Sequence, residues 1–417
     1  MSKHSYNITP GPSNRRPDSE TKFGGFGRAL MTAADALFIP ICPDLAAYRI
    51  KLRPILERVM GGSKIVSHLT IDREKLFKQA ISFYKSDKKN CHTQLMITFE
   101  KGGIEEEGLD GSGLRREFYC SFFRECLYST KNVMFVGSRR RMLPSNDMSM
   151  VQNGFFEALG KAIVASILNG DCGFPYLAPV VFYYLIDEDV TTHLTLEDVP
   201  DMDIKYLIDS LLKAQTDSEI NEIIHIPEAT VIDHIGWPTG QTYSMKTRDA
   251  LVEHLIRWSL IEKRKSSLDK LKAGLNHMGF LDATKDTEHL KPLLVYSQQY
   301  SVTAAYLKDK LLPKVEELEC SDESQRSSKQ FMLDYLMNIT DEEAESLFQF
   351  ITGSIDPPVE EEAISVEFNN SKKSQKYPEA HTCLSRLVIP NGNKSLNEFN
   401  TSIRQAIDMA KQGFGNA

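Results

Sequence analysis

One cysteine of the chain's seven stands in a context that invites chemistry. In "PEAHTCLSRL" (residues 378–387), Cys383 follows a His-Thr pair and opens an apolar run. His381, Thr382 and Ser385 are polar, and Pro378 and Pro390 bound the segment, so an exposed loop is expected. An ordinary thiol has a pKa near 8.5 and is only a few per cent thiolate at neutral pH. That is weak activation for peptide-bond hydrolysis, which needs a His–Asn or His–Asp partner. His381, two residues back in an extended segment, projects to the same side as Cys383. It either lowers the thiol's pKa or is a satisfied structural histidine. Thioester exchange asks for less. Its attacking and leaving groups are both thiolates, so the step is close to balanced and needs chiefly exposure and positioning. The plain alternative is that Cys383 only packs beside a strand.

Other chemistries find no footing. Cys42, Cys91, Cys120, Cys126, Cys172, Cys320 and Cys383 form no CxxC pair, and their irregular spacing fits neither a disulfide framework nor a zinc site. The ten histidines do not cluster and HExxH is missing, so neither a metal nor a cofactor is expected. "GSGLRR" lacks the third glycine of a dinucleotide loop, "GGSK" (61–64) lacks P-loop spacing, and there is no GxSxG elbow. A net charge of −8 and a pI near 5.8 argue against broad attraction to nucleic acid or anionic lipid. The most apolar early stretch, residues 29–48, is interrupted by Asp35, Pro40, Pro43 and Asp44 and cannot span a bilayer. With no signal-peptide pattern, a reducing cytoplasmic or nuclear setting is the expectation.

Several elements must position Cys383. Residues 1–28 read as a disordered polar leader and 29–89 as a helical extension. "QLMITFE" (94–100) alternates as a half-buried strand. In "LRREFYCSFFRECLY" the spacing of Leu114, Phe118, Phe122 and Cys126 predicts a helix, with Cys120 and Cys126 as core residues. Further helices are expected over 150–170, near 182–186, over 203–213 and 217–225, and in one long stretch over 246–277. Trp237 and Trp258 are expected to anchor packing. Residues 316–329, "EELECSDESQRSSK", are polar and Ser-rich and read as a hinge linker. Nine extended residues of it would reach roughly 30 Å. Beyond it, Thr340 with Glu343 and Ser395 with Glu398 match capping boxes, while 363–368 and 384–389 alternate as strands. Cys383 then sits on a loop of a small α/β unit.

The strings themselves have a likeness. "EAHTCLSRLVIP" resembles the active-site segment of HECT-type ubiquitin ligases, and "GLDGSGLRREFY" (108–119) resembles that family's turn and helix. "FFEALGKAIVASILNG" and "FQFITGS" follow in the family's order, and Phe414 stands where the family carries a phenylalanine used in ubiquitin transfer. The likeness covers roughly residues 90–417, and its middle is most similar to the HECT region of G2/M phase-specific ubiquitin ligases. It implies an α+β fold: a bilobal HECT domain with a mostly helical N-terminal lobe (90–315), a hinge (316–329) and a small α/β catalytic lobe (330–417). It also implies partners: ubiquitin, a ubiquitin-conjugating enzyme and a protein substrate. Cys383 would carry ubiquitin as a thioester, His381 and Thr382 would shape its loop, and Phe414 would position ubiquitin. Arg115 and Arg116 are expected to tie the acidic turn to the helix. Tyr377 and Leu384 stand where leucine and phenylalanine are usual. A catalytically inactive ubiquitin-binding scaffold is the rival reading, and a cysteine hydrolase is a third.

Overall fold

The computed structural model describes residues 66–86, 93–105, 113–238, 240–284, 290–296, 302–354, 364–369 and 374–410. The expected leader and Phe414 lie outside them. What is described of the 29–89 extension is not helical throughout. Val66–Asp72 is a strand, β1, and Leu76–Ser86 a helix, α1. Asp72 ends the strand by accepting from the Glu74 amide (3.0 Å), which starts a turn into α1. β2 (Gln94–Lys101) returns parallel to β1, pairing Leu69 with Ile97, and β3 (Ile104–Glu105) folds back antiparallel. Leu95, Ile97 and Phe99 face inward in alternation, as the pattern predicts.

α2 (Gly113–Tyr128) then crosses the lobe. A hairpin of β4 (Phe135–Ser138) and β5 (Arg141–Pro144) leads to α3 (Met148–Gln152) and α4 (Phe155–Leu168). The single helix expected over 150–170 is therefore two, parted by Gly154 at φ 67°. Nor is α4 amphipathic: nearly every residue from Phe156 to Leu168 is buried, because neighbours cover it on all sides. α5 (Pro179–Leu185), α6 (Met202–Lys213), α7 (Asp217–Ile223), α8 (Arg248–Leu260), α9 (Lys265–Leu275), α10 (Phe280–Thr284) and α11 (Lys291–Leu294) follow. The long helix expected over 246–277 breaks at Ile261 (φ −121°, ψ −62°) into α8 and α9. α9 crosses α4 at two glycines: a Cβ on Gly160 would come within 2.6 Å of the Leu275 nitrogen, and one on Gly274 within 2.2 Å of the Glu157 carbonyl oxygen. Trp237 and Trp258 pack half-buried against this core.

A second core starts at Val302 and is built from α12 (Ala304–Glu316), α13 (Glu323–Asn338), α14 (Asp341–Thr352) and α15 (Leu396–Ala410) around a three-stranded sheet. That sheet runs β6 (Ser365–Phe368), β8 (Arg386–Ile389), β7 (Glu379–His381), with β6 parallel and β7 antiparallel to β8. The fold is thus α+β with two cores, the first helix-rich. The stretch read as a linker, 316–329, is not extended: α12 ends at Glu316 and α13 begins at Glu323, capped by Asp322 on the Gln325 amide (2.8 Å). Most of its charges, with Ser324, lie on the exposed face of a helix start, while Gln325 and Ser328 are buried. The two apolar cores divide instead between Val295 and Val302.

Candidate active site at the lobe interface

Cys383 lies in a one-turn 3-10 segment, Thr382–Leu384, linking β7 to β8. The strand expected over 384–389 starts at Arg386, because the turn uses Leu384. Ser385 closes the turn in the left-handed region (φ 45°, ψ 48°) and is fully buried. Its amide donates to the Thr382 carbonyl (3.3 Å), and its own carbonyl accepts from the Ser365 amide (3.0 Å). A non-glycine residue in that region is strained, so those two bonds hold the turn in one shape. The turn has two sides: Thr382 is 8% exposed, whereas Leu384 is 56% exposed and His381 is exposed beside it. The Cys383 side chain lies outside the described atoms.

The buried side of the turn meets the N-terminal lobe. Arg116, itself only 4% exposed, extends Nη2 to within 3.5 Å of the Thr382 carbonyl oxygen. Gly353, the left-handed cap of α14 (φ 76°), lets three elements converge: a Cβ there would stand 3.6 Å from the Gly113 carbonyl oxygen, 3.7 Å from the Glu117 nitrogen and 3.7 Å from the Thr382 Cβ. The contacts continue along α2. Cys120 Sγ lies 3.9 Å from Ser354 Oγ, and Arg124 Nη2 donates to Gln349 Oε1 at 3.0 Å. Past the end of α2, Arg139 and Arg140 both donate to Glu345 Oε2, at 2.9 and 3.0 Å. As α2 is followed forward, its partners on α14 run backward, so the two helices pack antiparallel.

The acidic turn (106–112) that Arg115 and Arg116 are expected to tie to the helix lies outside the described residues. Arg115 turns into its own lobe, where Nε donates to Asp171 Oδ2 (2.6 Å) and Nη2 to the Asn169 carbonyl (3.0 Å). Arg116 turns the other way, to the turn that bears Cys383. Sequence reasoning missed the stripe Arg116, Cys120, Arg124, Tyr128, although its recurrence every four residues was visible beside the core stripe of Phe118 and Phe122.

Two of the other described cysteines make poor nucleophiles. Cys126 is buried and its thiol is held well above the usual range by desolvation. The Cys172 thiol is raised too, by its hydrogen bond to Cys120 and then by burial. Among the described residues no three metal-ligating side chains gather, and no helix is long and apolar enough to cross a membrane.

A family model described as "HECT-domain (ubiquitin-transferase)" matches residues 121–417, more than two thirds of the chain. The chain belongs to the HECT family. No curated protein resembles it closely enough to count as a relative. As a HECT chain it holds both lobes of the fold, and the described elements extend N-terminal to the match: β1, α1 and β2 belong to the same core as α4.

Proposed function

We propose that this HECT chain is a ubiquitin-protein ligase whose acceptor is Cys383. The Cys383 thiolate attacks the carbonyl carbon of the thioester joining ubiquitin's C-terminus to a conjugating enzyme's cysteine. A new C–S bond forms to Cys383, the old C–S bond breaks, and the conjugating enzyme leaves as a thiolate. A deprotonated substrate lysine amine then attacks the same carbon. Its C–N bond replaces the C–S bond, the nitrogen's extra proton passes to solvent, an isopeptide results, and the Cys383 thiolate is regenerated. The electrons balance without an oxidant, a metal or a cofactor.

The observation that carries this reading is the two-sided turn. One side is fixed by Ser385 and by Arg116 on the Thr382 carbonyl, while His381 and Leu384 face solvent. A rigid, accessible loop suits a near-thermoneutral exchange, where positioning is most of what a protein must supply. In this reading Thr382 orients the turn, His381 lines the approach, Phe414 contacts ubiquitin, and the conjugating enzyme docks on the N-terminal lobe.

A charging assay on non-reducing gels, run with a panel of conjugating enzymes, tests it. Wild type forms a thiol-sensitive ubiquitin adduct, Cys383→Ala forms none, and Cys383→Ser forms one that survives thiol. Ubiquitin binding without an adduct from any conjugating enzyme would put the inactive scaffold in place of the ligase. Release of free ubiquitin without lysine products would favour the hydrolase.

A further inference from the structure

The turn of the β4–β5 hairpin and its exit carry three consecutive arginines, which between them hold two separate parts of the molecule. Arg139 and Arg140 converge on a single oxygen of Glu345, at the start of α14 in the C-terminal lobe. The Arg140 guanidinium also lies 4.0 Å from the ring centroid of Tyr296, one residue past Val295 of the first core. Arg141 is bidentate on Asp198, Nε to Oδ1 at 2.5 Å and Nη2 to Oδ2 at 2.8 Å, and the Asp198 side chain is fully buried. That fork, with Arg140 in the left-handed region at φ 69°, fixes the shape of the turn that presents the other two arginines.

The charge arrangement has a specific consequence. The Glu345 carboxylate is 9% exposed, so it has left most of its hydration behind, and two neighbouring guanidiniums replace that hydration. A buried carboxylate is tolerated only while its partners are present, and two adjacent cations tolerate each other best with an anion between them. Neither side is satisfied dry by itself. When the lobes part, all three groups regain water. The other hydrogen bonds joining α2 to the C-terminal lobe are polar too, from Arg116, Cys120 and Arg124.

We propose that Arg139, Arg140 and Glu345 form an interlobe latch that holds the C-terminal lobe, with the Cys383 turn, against α2, and that its footing is the Arg141–Asp198 fork. The latch is distinct from the acyl-transfer chemistry and stands whether or not Cys383 accepts ubiquitin.

Small-angle scattering of the full chain reads it directly, with circular dichroism confirming that each variant is folded. Glu345→Gln keeps the shape but removes the charge, and it raises the maximum dimension relative to wild type. Arg139→Glu with Arg140→Glu raises it further, because three carboxylates then face one another. Adding Glu345→Arg to that pair returns the maximum dimension to the wild-type value. The swap reads the latch even if a single variant folds poorly, since it restores charge pairing rather than the original residues. A Glu345→Gln profile that superimposes on wild type, or a triple variant as expanded as the double, would overturn the proposal.

Discussion

The two long faces of α2 make opposite kinds of contact. On one, Phe118, Phe122 and Cys126 are fully buried in an aromatic core, where Phe122 stacks on Phe118 at 6.2 Å and meets Phe77 at 6.1 Å. On the other, Arg116, Cys120 and Arg124 reach a separate core through hydrogen bonds. Apolar burial is non-directional and strong, and little of it is recovered until the whole face is exposed. Charge-assisted bonds trade against water almost evenly. One helix therefore has a permanent face and a separable one, and the separable face borders the turn that bears Cys383.

The largest effect expected from breaking this contrast lies on the permanent face. Phe122→Ala removes a fully buried ring from a site walled by other rings and costs about 3–5 kcal/mol in denaturant unfolding of the N-terminal lobe. On the separable face, Arg124→Ala loses one bond to Gln349 and costs about 1 kcal/mol, with the N-terminal lobe unfolding as before. If both substitutions cost the same, the two faces are not different in kind.

A third measurement sharpens the contrast by pH. Glu343 ties the C-terminal lobe together internally, capping α14 and accepting from Arg404 Nη2 of α15 at 2.8 Å. Burial by itself would raise its pKa, but the Thr340 amide and Arg404 outweigh it and hold the carboxyl below its ordinary value. The folded lobe thus binds this proton less readily than the unfolded chain. The stabilisation is complete above the ordinary glutamate pKa of about 4.3 and is lost as pH falls through the depressed one. Melting curves taken between neutral and acid pH should show wild type leading Glu343→Gln at neutrality and the lead closing at the acid end.

Much of this molecule was legible in its residues. β2 showed itself by strict alternation, and α14 by Thr340, Glu343 and Gly353, because caps and two-residue periods are local signals. What failed was mostly non-local. β1 is a strand because β2 lies parallel beside it across the α1 crossover. The start of α13 looked like a linker because its exposed side is polar, yet a local sign was available: Asp322 and Gln325 stand three apart, and the Gln325 side chain reaches back to the Ser321 amide at 2.7 Å. The loop that bears Cys383 was legible from its own string. Arg116 was not, since the carbonyl it reaches belongs to Thr382, 266 residues away.

The choice of cation along the separable face has a further consequence. In the hydrogen bonds described, every charged donor reaching the C-terminal lobe from the first is an arginine: Arg116, Arg124, Arg139 and Arg140. A guanidinium stays protonated at any working pH, whereas an ammonium in a dry, crowded spot readily gives up its proton and becomes an acyl acceptor. A protein that hands an activated acyl group to amines would risk capping its own interface if lysines lined it. Built from arginine, these contacts are chemically inert to the reaction proposed for the turn.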